Sequence, residues 1–276
     1  MEYLLDNIQN FWRSYHELWS SDIPKTSEQK SSQTFRIITP FYNVENFLPI
    51  TIYSLKNQLN KNFKSYLVDD CSDDHSVAIA SYMTDNDSRF LLTKNTEKKY
   101  ALANIVNAIN SIEDIADDDI IILLDGDDWL ASENVLSHLE KIYADEDCLM
   151  TYGSYAYFPT GQKGVEPSVY PQEVIANNMF RQDRWRASHL RTYKYKLWKN
   201  IKDEDLRGDQ GYYNVAYDQA IMFPLLEMAS NRSKYISETL HVYNRTNPLN
   251  VDKIKERDQQ LASFDIRNKQ PYEKCT

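Results

Sequence analysis

Three short polar segments, each preceded by an apolar run, are where this chain can do chemistry: Thr39-Pro40-Phe41-Tyr42-Asn43, Asp69-Asp70 and Asp125-Gly126-Asp127-Asp128. An Asp-x-Asp triplet alone says little, because Asp85/Asp87, Asp145/Asp147 and Asp203/Asp205 share the spacing and read as solvated loop or helix-end acids. Asp125/Asp127 differs, because the unbroken apolar run Ile120–Leu124 projects it from a strand end. Carboxylates held there can bind Mg2+ or Mn2+, hard cations that keep several waters and take remaining ligands from phosphate oxygens. Gly126, between them, would let a ligand approach the backbone closely. The competing use of such acids is helix capping, for which Asp128 and Ser132 are the candidates.

The elements that must position these groups alternate along the chain. Short strands are predicted at Phe35–Thr39 (ended by Pro40), Tyr66–Val68, Phe90–Leu92, Ile120–Leu124 and Leu149–Tyr152. Helical spacing separates them at Phe47–Leu59, Ser76–Tyr82, Tyr100–Ile112 and Asn134–Tyr143. Repeated strand-then-helix units imply a parallel sheet with crossover helices on its faces. Ligands of such sheets bind at the carboxyl ends of the strands, where all three polar segments fall. After Gly153 the alternation is lost in a tyrosine-rich stretch, followed by the basic run Arg181–Arg191 and a last helix near Tyr217–Met228. At the start, residues 3–19 carry a one-sided apolar pattern, followed by a polar linker from Ser20 to Thr34. That helix can dock on the body, pair with another subunit as a homo-oligomer contact, or lie on a membrane; its acidic polar side disfavours the last.

Composition narrows the chemistry further. With 6 glycines in 276 residues, none before Gly126, the chain has no glycine-rich phosphate loop. A formal charge of −10 makes it a poor partner for nucleic acid. A phosphorylated ligand would therefore need a carboxylate-held cation. The 3 cysteines (Cys71, Cys148, Cys275) are scattered and fit reduced thiols, and no transmembrane segment or signal peptide stands out. These features predict a soluble cytoplasmic protein, peripheral to a membrane at most.

At its motif residues the sequence resembles the family 2 glycosyltransferases of the GT-A fold. The matching segments are Ile37-Ile-Thr-Pro-Phe-Tyr-Asn43 with Phe47-Leu48, Leu67-Val-Asp-Asp-Cys-Ser-Asp-Asp-His-Ser76, and Leu123-Leu-Asp-Gly-Asp-Asp-Trp-Leu130. Their order and spacing fit over residues 35–152. The resemblance implies an α/β, GT-A architecture: a Rossmann-like, mostly parallel sheet flanked by helices, with an irregular acceptor-side C-terminal half and an appended N-terminal helix. It divides the chain into an N-terminal helix and linker (1–34), a nucleotide-sugar-binding half (35–152) and an acceptor-binding, base-supplying half (153–276). It implies a nucleotide-diphosphate-sugar donor, a glycan or glycosylated acceptor, a divalent metal and inversion at the anomeric carbon. Thr39, Pro40, Tyr42, Asn43, Asp69 or Asp70, and Asn104 would serve the donor, with Asp125, Gly126 and Asp127 at ribose, metal and diphosphate. Asp127 would be the direct metal ligand, Asp125 the second, with His189 or His241 as a further one.

The sequence departs from that pattern in places. Cys71 replaces a usual glycine. In Asn95-Thr-Glu-Lys-Lys-Tyr-Ala-Leu-Ala-Asn104, Glu97 and Ala103 replace a usual glycine and arginine, leaving Lys94, Lys98 or Lys99 to substitute for the arginine. Gln182-Asp-Arg-Trp185 is one residue short of the motif of processive members. The family's Glu-Asp pair at a helix start is matched by Tyr217-Asp218, which makes Asp218 the candidate base, with Asp209 and Asp183 in reserve. Arg184, Trp185 and Arg191 are candidates for the diphosphate or acceptor side. Two other readings stay open at this point: a non-catalytic nucleotide-sugar-binding scaffold, and a haloacid-dehalogenase-type phosphatase built on Asp125-Gly-Asp127.

Overall fold

The computed structural model describes residues 2–15, 19, 23, 33–144, 147–249 and 256–275. Its helices are α1 (Glu2–Tyr15), α2 (Leu48–Lys56), α3 (Ser76–Thr84), α4 (Tyr100–Asn110), α5 (Val135–Tyr143), α6 (Gln172–Ala176), α7 (Tyr195–Trp198), α8 (Tyr217–Ala229) and α9 (Glu256–Asn268). The strands are β1 (Phe35–Phe41), β2 (Phe63–Asp69), β3 (Phe90–Lys94), β4 (Ile120–Leu123), β5 (Trp129–Leu130), β6 (Met150–Phe158), β7 (Arg191–Lys194), β8 (Arg207–Gly208), β9 (Gly211–Tyr212) and β10 (Ser233–Asn244). Eight strands form one sheet in the order β3-β2-β1-β4-β7-β6-β10-β5, and β8 pairs with β9.

β3, β2, β1 and β4 are mutually parallel, as their alternation with helices requires. Side chains alternate across this sheet, so β1 and β4 feed two cores. Ile37, Ile120 and Ile122 pack into one with α2 and α5, while Ile38, Ile121 and Leu123 pack into the other with α4 and α8. Every residue of β4 is buried, which is why its sequence is a continuous apolar run. Each such side chain contributes roughly 1.5–3 kcal/mol through burial. The apolar side of α1 is spent within the chain: Phe11 packs at 5.7 Å from Trp129 and 5.2 Å from Phe158, and Trp12 at 5.7 Å from Tyr53. The expected continuation of this helix through Leu18 and most of the polar stretch 20–34 lie outside the described residues.

Several elements differ from the sequence expectation, each for a physical reason. β1 runs on through Pro40 to Phe41. The carbonyls of Ile38 and Pro40 face β4, where they accept from Leu124 and Gly126, so the nitrogen of Pro40 lies on the side where β4 has already ended. The N–H that proline lacks is the one that would face Leu124 O in this register, and the β1–β4 ladder ends at Leu123. The strand expected at Leu149–Tyr152 reaches Phe158 and does not adjoin β4, because antiparallel β7 lies between them. β7 was not expected because it is basic. It is buried all the same, with Arg191 3.2 Å from Asp218 and Lys194 3.3 Å from Asp118. α9 lacks an apolar stripe: it docks through buried Ile266 together with polar contacts, such as Arg267 donating to the carbonyls of Arg181 and Asp183.

At the opposite end of β1 from the polar segments, buried Arg36 donates to Asp119 at 2.8 Å, to Asp114 at 3.0 Å and to the Tyr66 hydroxyl at 3.1 Å. Asp119 also accepts the main-chain N–H of Thr34 and Ala116, which ties the strand entry to the loop before β4. Removing only the cation strands a buried carboxylate, a change that costs roughly 3–5 kcal/mol. Arg36→Ala should therefore lower unfolding stability by about that amount in urea titrations, and Arg36→Met with Asp119→Asn, which removes the stranded charge but keeps an acceptor for the Thr34 and Ala116 N–H groups, should recover part of it. Equal stability of Arg36→Ala and the native chain would contradict this.

Candidate active site

The ends of β1, β2 and β4 are stitched together before any side chain is considered. Asp70 N–H donates to Phe41 O at 2.9 Å, and Gly126 N–H to Pro40 O at 3.2 Å. A Cβ at position 126 would lie 2.4 Å from Phe41 Cβ, so close packing of the β4 turn on β1 is what requires glycine. This constraint is nearer than the ligand access expected from the sequence, although Gly126 also lines the cavity above. That cavity is about 430 Å³, and Pro40, Tyr42, Asp70, Asn104, Asp125 and Asp127 are on its first-half side. His189, Arg191, Tyr217, Asp218, Tyr243 and Asn247 face them from β7, α8 and the region of β10.

Asp69 and Asp70 divide their work. Asp70 accepts the N–H of Lys99 (2.7 Å) and Tyr100 (2.9 Å) and Asn95 Nδ2 (3.0 Å), so its charge sits at the N-terminus of α4. Asp69 is buried below the cavity and accepts Ser72 N–H at 3.1 Å. Asn43 likewise braces a loop, its amide exchanging hydrogen bonds with Asp73 at 2.6 and 2.9 Å. Thr39 is fully buried and, like Asn43 and Asp69, is not part of the lining. Asn104 lines the cavity: its Oδ1 accepts from Asn95 at 2.7 Å, while its buried Nδ2 has no partner among the described residues.

Each carboxylate of the β4 turn meets a partner from the second half of the chain. Asp125 Oδ1 accepts from the Tyr217 hydroxyl at 2.8 Å, and Asp127 Oδ2 from Asn247 Nδ2 at 2.7 Å. Asp128 accepts Asn244 N–H at 2.9 Å and lies 2.8 Å from His241 Nε2. Asp128 therefore fastens the turn to β10 and does not cap a helix, a role invisible without knowing that β10 runs alongside. Burial, then repulsion from Asp128 and Asp125, pushes the Asp127 carboxyl up to about 8, with Asn247 opposing. Burial holds His241 down at about 3 and His189 well below the usual imidazole range. Both rings are thus neutral; His241 Nε2 hydrogen-bonds to Asp128, whose own carboxyl is pushed well up by burial and by Asp125, so either partner can carry the shared proton.

Asp128, His189 and His241 bring ligand atoms within 4.8 Å of one another. The two rings stack at 4.4 Å and 15°, so their in-plane lone pairs run in nearly parallel planes and do not meet at one point. His189 Nδ1 accepts from Arg191 at 3.0 Å. The hard oxygens of Asp125 and Asp127 are the better match to Mg2+ or Mn2+, because Asp127 keeps a proton that a cation would replace.

Across the cavity, Asp218 Oδ2 lies 3.2 Å from Arg191 Nη1 at the first turn of α8. Of the arginines in the basic run, Arg191 alone among the described residues lines the cavity. Arg181 is paired with buried Glu227 at 2.5 and 2.9 Å, Arg186 with Asp183 at 2.6 Å, and Arg184 donates to Ser168 at 3.1 Å. Trp185 packs edge-on against Phe223 at 5.4 Å. Arg184, Trp185, Asp183 and Asp209 are thus not brought to the cavity. Tyr217 and Asn247 are site residues to which the sequence assigns no role, and Asp128 one it offers only as a helix cap; Tyr217 carries a signal as the neighbour of Asp218 at a helix start, whereas Asn247 carries none.

Comparison with known proteins agrees with this geometry. The family model for glycosyl transferase family 2 matches residues 36–219. An uncharacterized glycosyltransferase of Haemophilus influenzae is 34% identical over 232 residues, covering 79% of this chain and 90% of the relative. Glycosyltransferase GlyA of Streptococcus pneumoniae is 25% identical over 221 residues, 75% of this chain but only 30% of GlyA. The fold superposes on S. aureus TarS 1-349 in complex with UDP with a TM-score of 0.56 at 18% identity, over 77% of this chain and 60% of that one. It superposes on mannosyltransferase PcManGT from Pyrobaculum calidifontis, in complex with GDP-Man and Mn2+, with a TM-score of 0.60 at 12% identity, over 98% and 74%. At those identities the two structures establish the GT-A fold alone.

The crowded carboxylates give the cation-free protein a defined pH response. Below the ordinary carboxyl range Asp127 is protonated whether folded or unfolded. Between that range and about 8 the unfolded chain loses the proton while the folded one keeps it, so stability falls as pH rises. In EDTA, Asp127→Asn should therefore gain stability over the native chain, and the gain should be larger at pH 8 than at pH 5. Thermal unfolding at the two pH values checks this, and a gain that does not grow with pH would contradict it.

Proposed function

Since the chain belongs to glycosyl transferase family 2, we propose that it is a metal-dependent, inverting glycosyltransferase using a uridine-diphosphate sugar and a hydroxyl of a glycan or glycosylated acceptor. The observation that carries this reading is the single cavity in which Asp125 and Asp127 of the β4 turn face Asp218 at the start of α8. Asp127 and Asp125 would hold Mg2+ or Mn2+, whose chemistry there is to neutralise the departing diphosphate. A neighbour of the same fold is recorded with GDP-Man and Mn2+, and another with UDP. For the base, Asp70 retains one lone-pair direction on Oδ2 and Asn104 an Nδ2 without a partner among the described residues, an acceptor and a donor that suit the N3–H and a carbonyl of uracil.

The remaining steps fall to the chain's own residues. Asp218 accepts the proton of the acceptor hydroxyl as its oxygen bonds to the anomeric carbon and the bond from that carbon to the diphosphate oxygen breaks. Attack from the Asp218 side, opposite the β4 turn, inverts the anomeric centre. Arg191, fixed by Asp218 and His189, orients the base and brings positive charge to the cavity. Tyr217 holds the carboxylate of Asp125, which supports a productive cavity more than an inert scaffold. The phosphatase reading is not favoured, because Asp125 follows the fourth strand of the sheet and lies inside the matched family region.

Asp218→Asn keeps the shape and hydrogen-bonding reach of the side chain while removing its basicity. Release of nucleoside diphosphate from UDP-sugars with Mn2+ and acceptor should fall by roughly 10²–10⁴. Donor affinity should stay within about twofold, a difference far below the ~1.4 kcal/mol of a tenfold change. Undiminished turnover would place the base on another residue.

A further inference from the structure

Lys98 occupies an unusual place in the cavity. Its main chain belongs to a loop pinned on Asp70 through Lys99 and Tyr100, so the backbone position is set. Its ammonium rests 3.2 Å above the centre of the Tyr42 ring and 5.6 Å from that of Tyr100, and all three residues line the cavity. The other cation of the lining, Arg191, is committed to Asp218 and His189. Lys98 forms no ion pair with any described residue, although the cavity is lined by Asp70, Asp125, Asp127 and Asp218. Lys94 and Lys99 do not reach the lining.

The height of the ammonium decides what this arrangement can do. A planar ring stacked on Tyr42 would lie roughly 3.5 Å above it, the space Lys98 fills. A base stacking there has to displace the lysine. The displaced ammonium stays tethered by a short pinned loop and remains over a cavity whose ligand is anionic. We propose that Lys98 is a mobile counter-charge that leaves Tyr42 when the base stacks and pairs with the diphosphate of the donor. The same movement opens the aromatic platform and supplies positive charge, so Lys98 discriminates a nucleoside diphosphate from a nucleoside. This inference rests on the nucleotide-sugar reading above and adds to it the residue that selects for the diphosphate.

The test is a calorimetric comparison of UDP and uridine binding, with Mn2+, to the full-length native chain, Lys98→Met and Lys98→Arg. Lys98 is exposed, so Lys98→Met should fold as the native chain does. It should weaken UDP by about tenfold or more, the loss of a charged hydrogen bond, and leave uridine unchanged or a few-fold tighter because no cation need be displaced. Lys98→Arg should restore most of the UDP affinity. An equal effect on UDP and uridine, or none on either, would overturn the role of Lys98 while leaving the donor reading standing. Failure of the native chain to bind either UDP or GDP would instead overturn the donor reading itself.

Discussion

Burial of neighbouring like-charged carboxyls at the end of β4 is the constraint around which this molecule is arranged. Asp125, Asp127 and Asp128 follow a strand that is buried on both faces, so water alone does not screen them. Each is offset by a different element of the second half: Tyr217 of α8 for Asp125, Asn247 for Asp127, and His241 with Asn244 of β10 for Asp128. Thr51 of α2 closes the turn from beneath by donating to the carbonyls of Gly126 and Asp128. Relief of one cluster of charge thus holds the two halves of the chain in register and shapes the cavity between them. Burial still holds the carboxyls of both Asp127 and Asp128 above their usual range, and a cation at the turn would relieve that.

The same region shows what scarce glycine costs. Four non-glycine residues beside the cavity adopt positive φ: Asn43 (49°), Cys71 (65°), Tyr100 (66°) and Ala216 (50°). Each left-handed L-residue costs roughly 1–2 kcal/mol. The cost is offset locally where the side chain or amide finds a partner. Asn43 bonds to Asp73, Cys71 Sγ donates to Asn95 O at 3.3 Å, and Tyr100 N–H donates to Asp70. Cys71, which stands where the resemblance expects glycine, keeps the backbone conformation that glycine would adopt. Strained loops of this kind persist only where the surroundings over-determine them.

The first half of the chain was legible in the sequence because its signals are local. The apolar run Ile120–Leu124 announced a buried strand, and its end marked Asp125 and Asp127. Tyr217-Asp218 was found as a helix start, and the structure begins α8 there. What could not be read depends on partners distant in the chain. β7 contains Arg191 and Lys194, which count as surface residues until Asp218 and Asp118 are seen to neutralise them. β10 mixes polar with apolar residues and carries register irregularities between Ile236 and His241. The basic run after Phe180 looked like one anion-binding patch, but Glu227 takes Arg181 and Asp183 takes Arg186, leaving Arg191 at the cavity. The charge of −10 also gains a meaning: part of the excess acid is gathered at the β4 turn, where the proposed cation would bind.

The central claim is that the β4 carboxylates and a divalent cation together receive a nucleoside diphosphate. Calorimetric titration of UDP and GDP into the native chain, in Mn2+ and in EDTA, tests it most directly. The account predicts saturable one-to-one binding of UDP in Mn2+ that weakens by at least about tenfold in EDTA, a loss of ~1.4 kcal/mol or more. Equal affinity with and without the cation would contradict it.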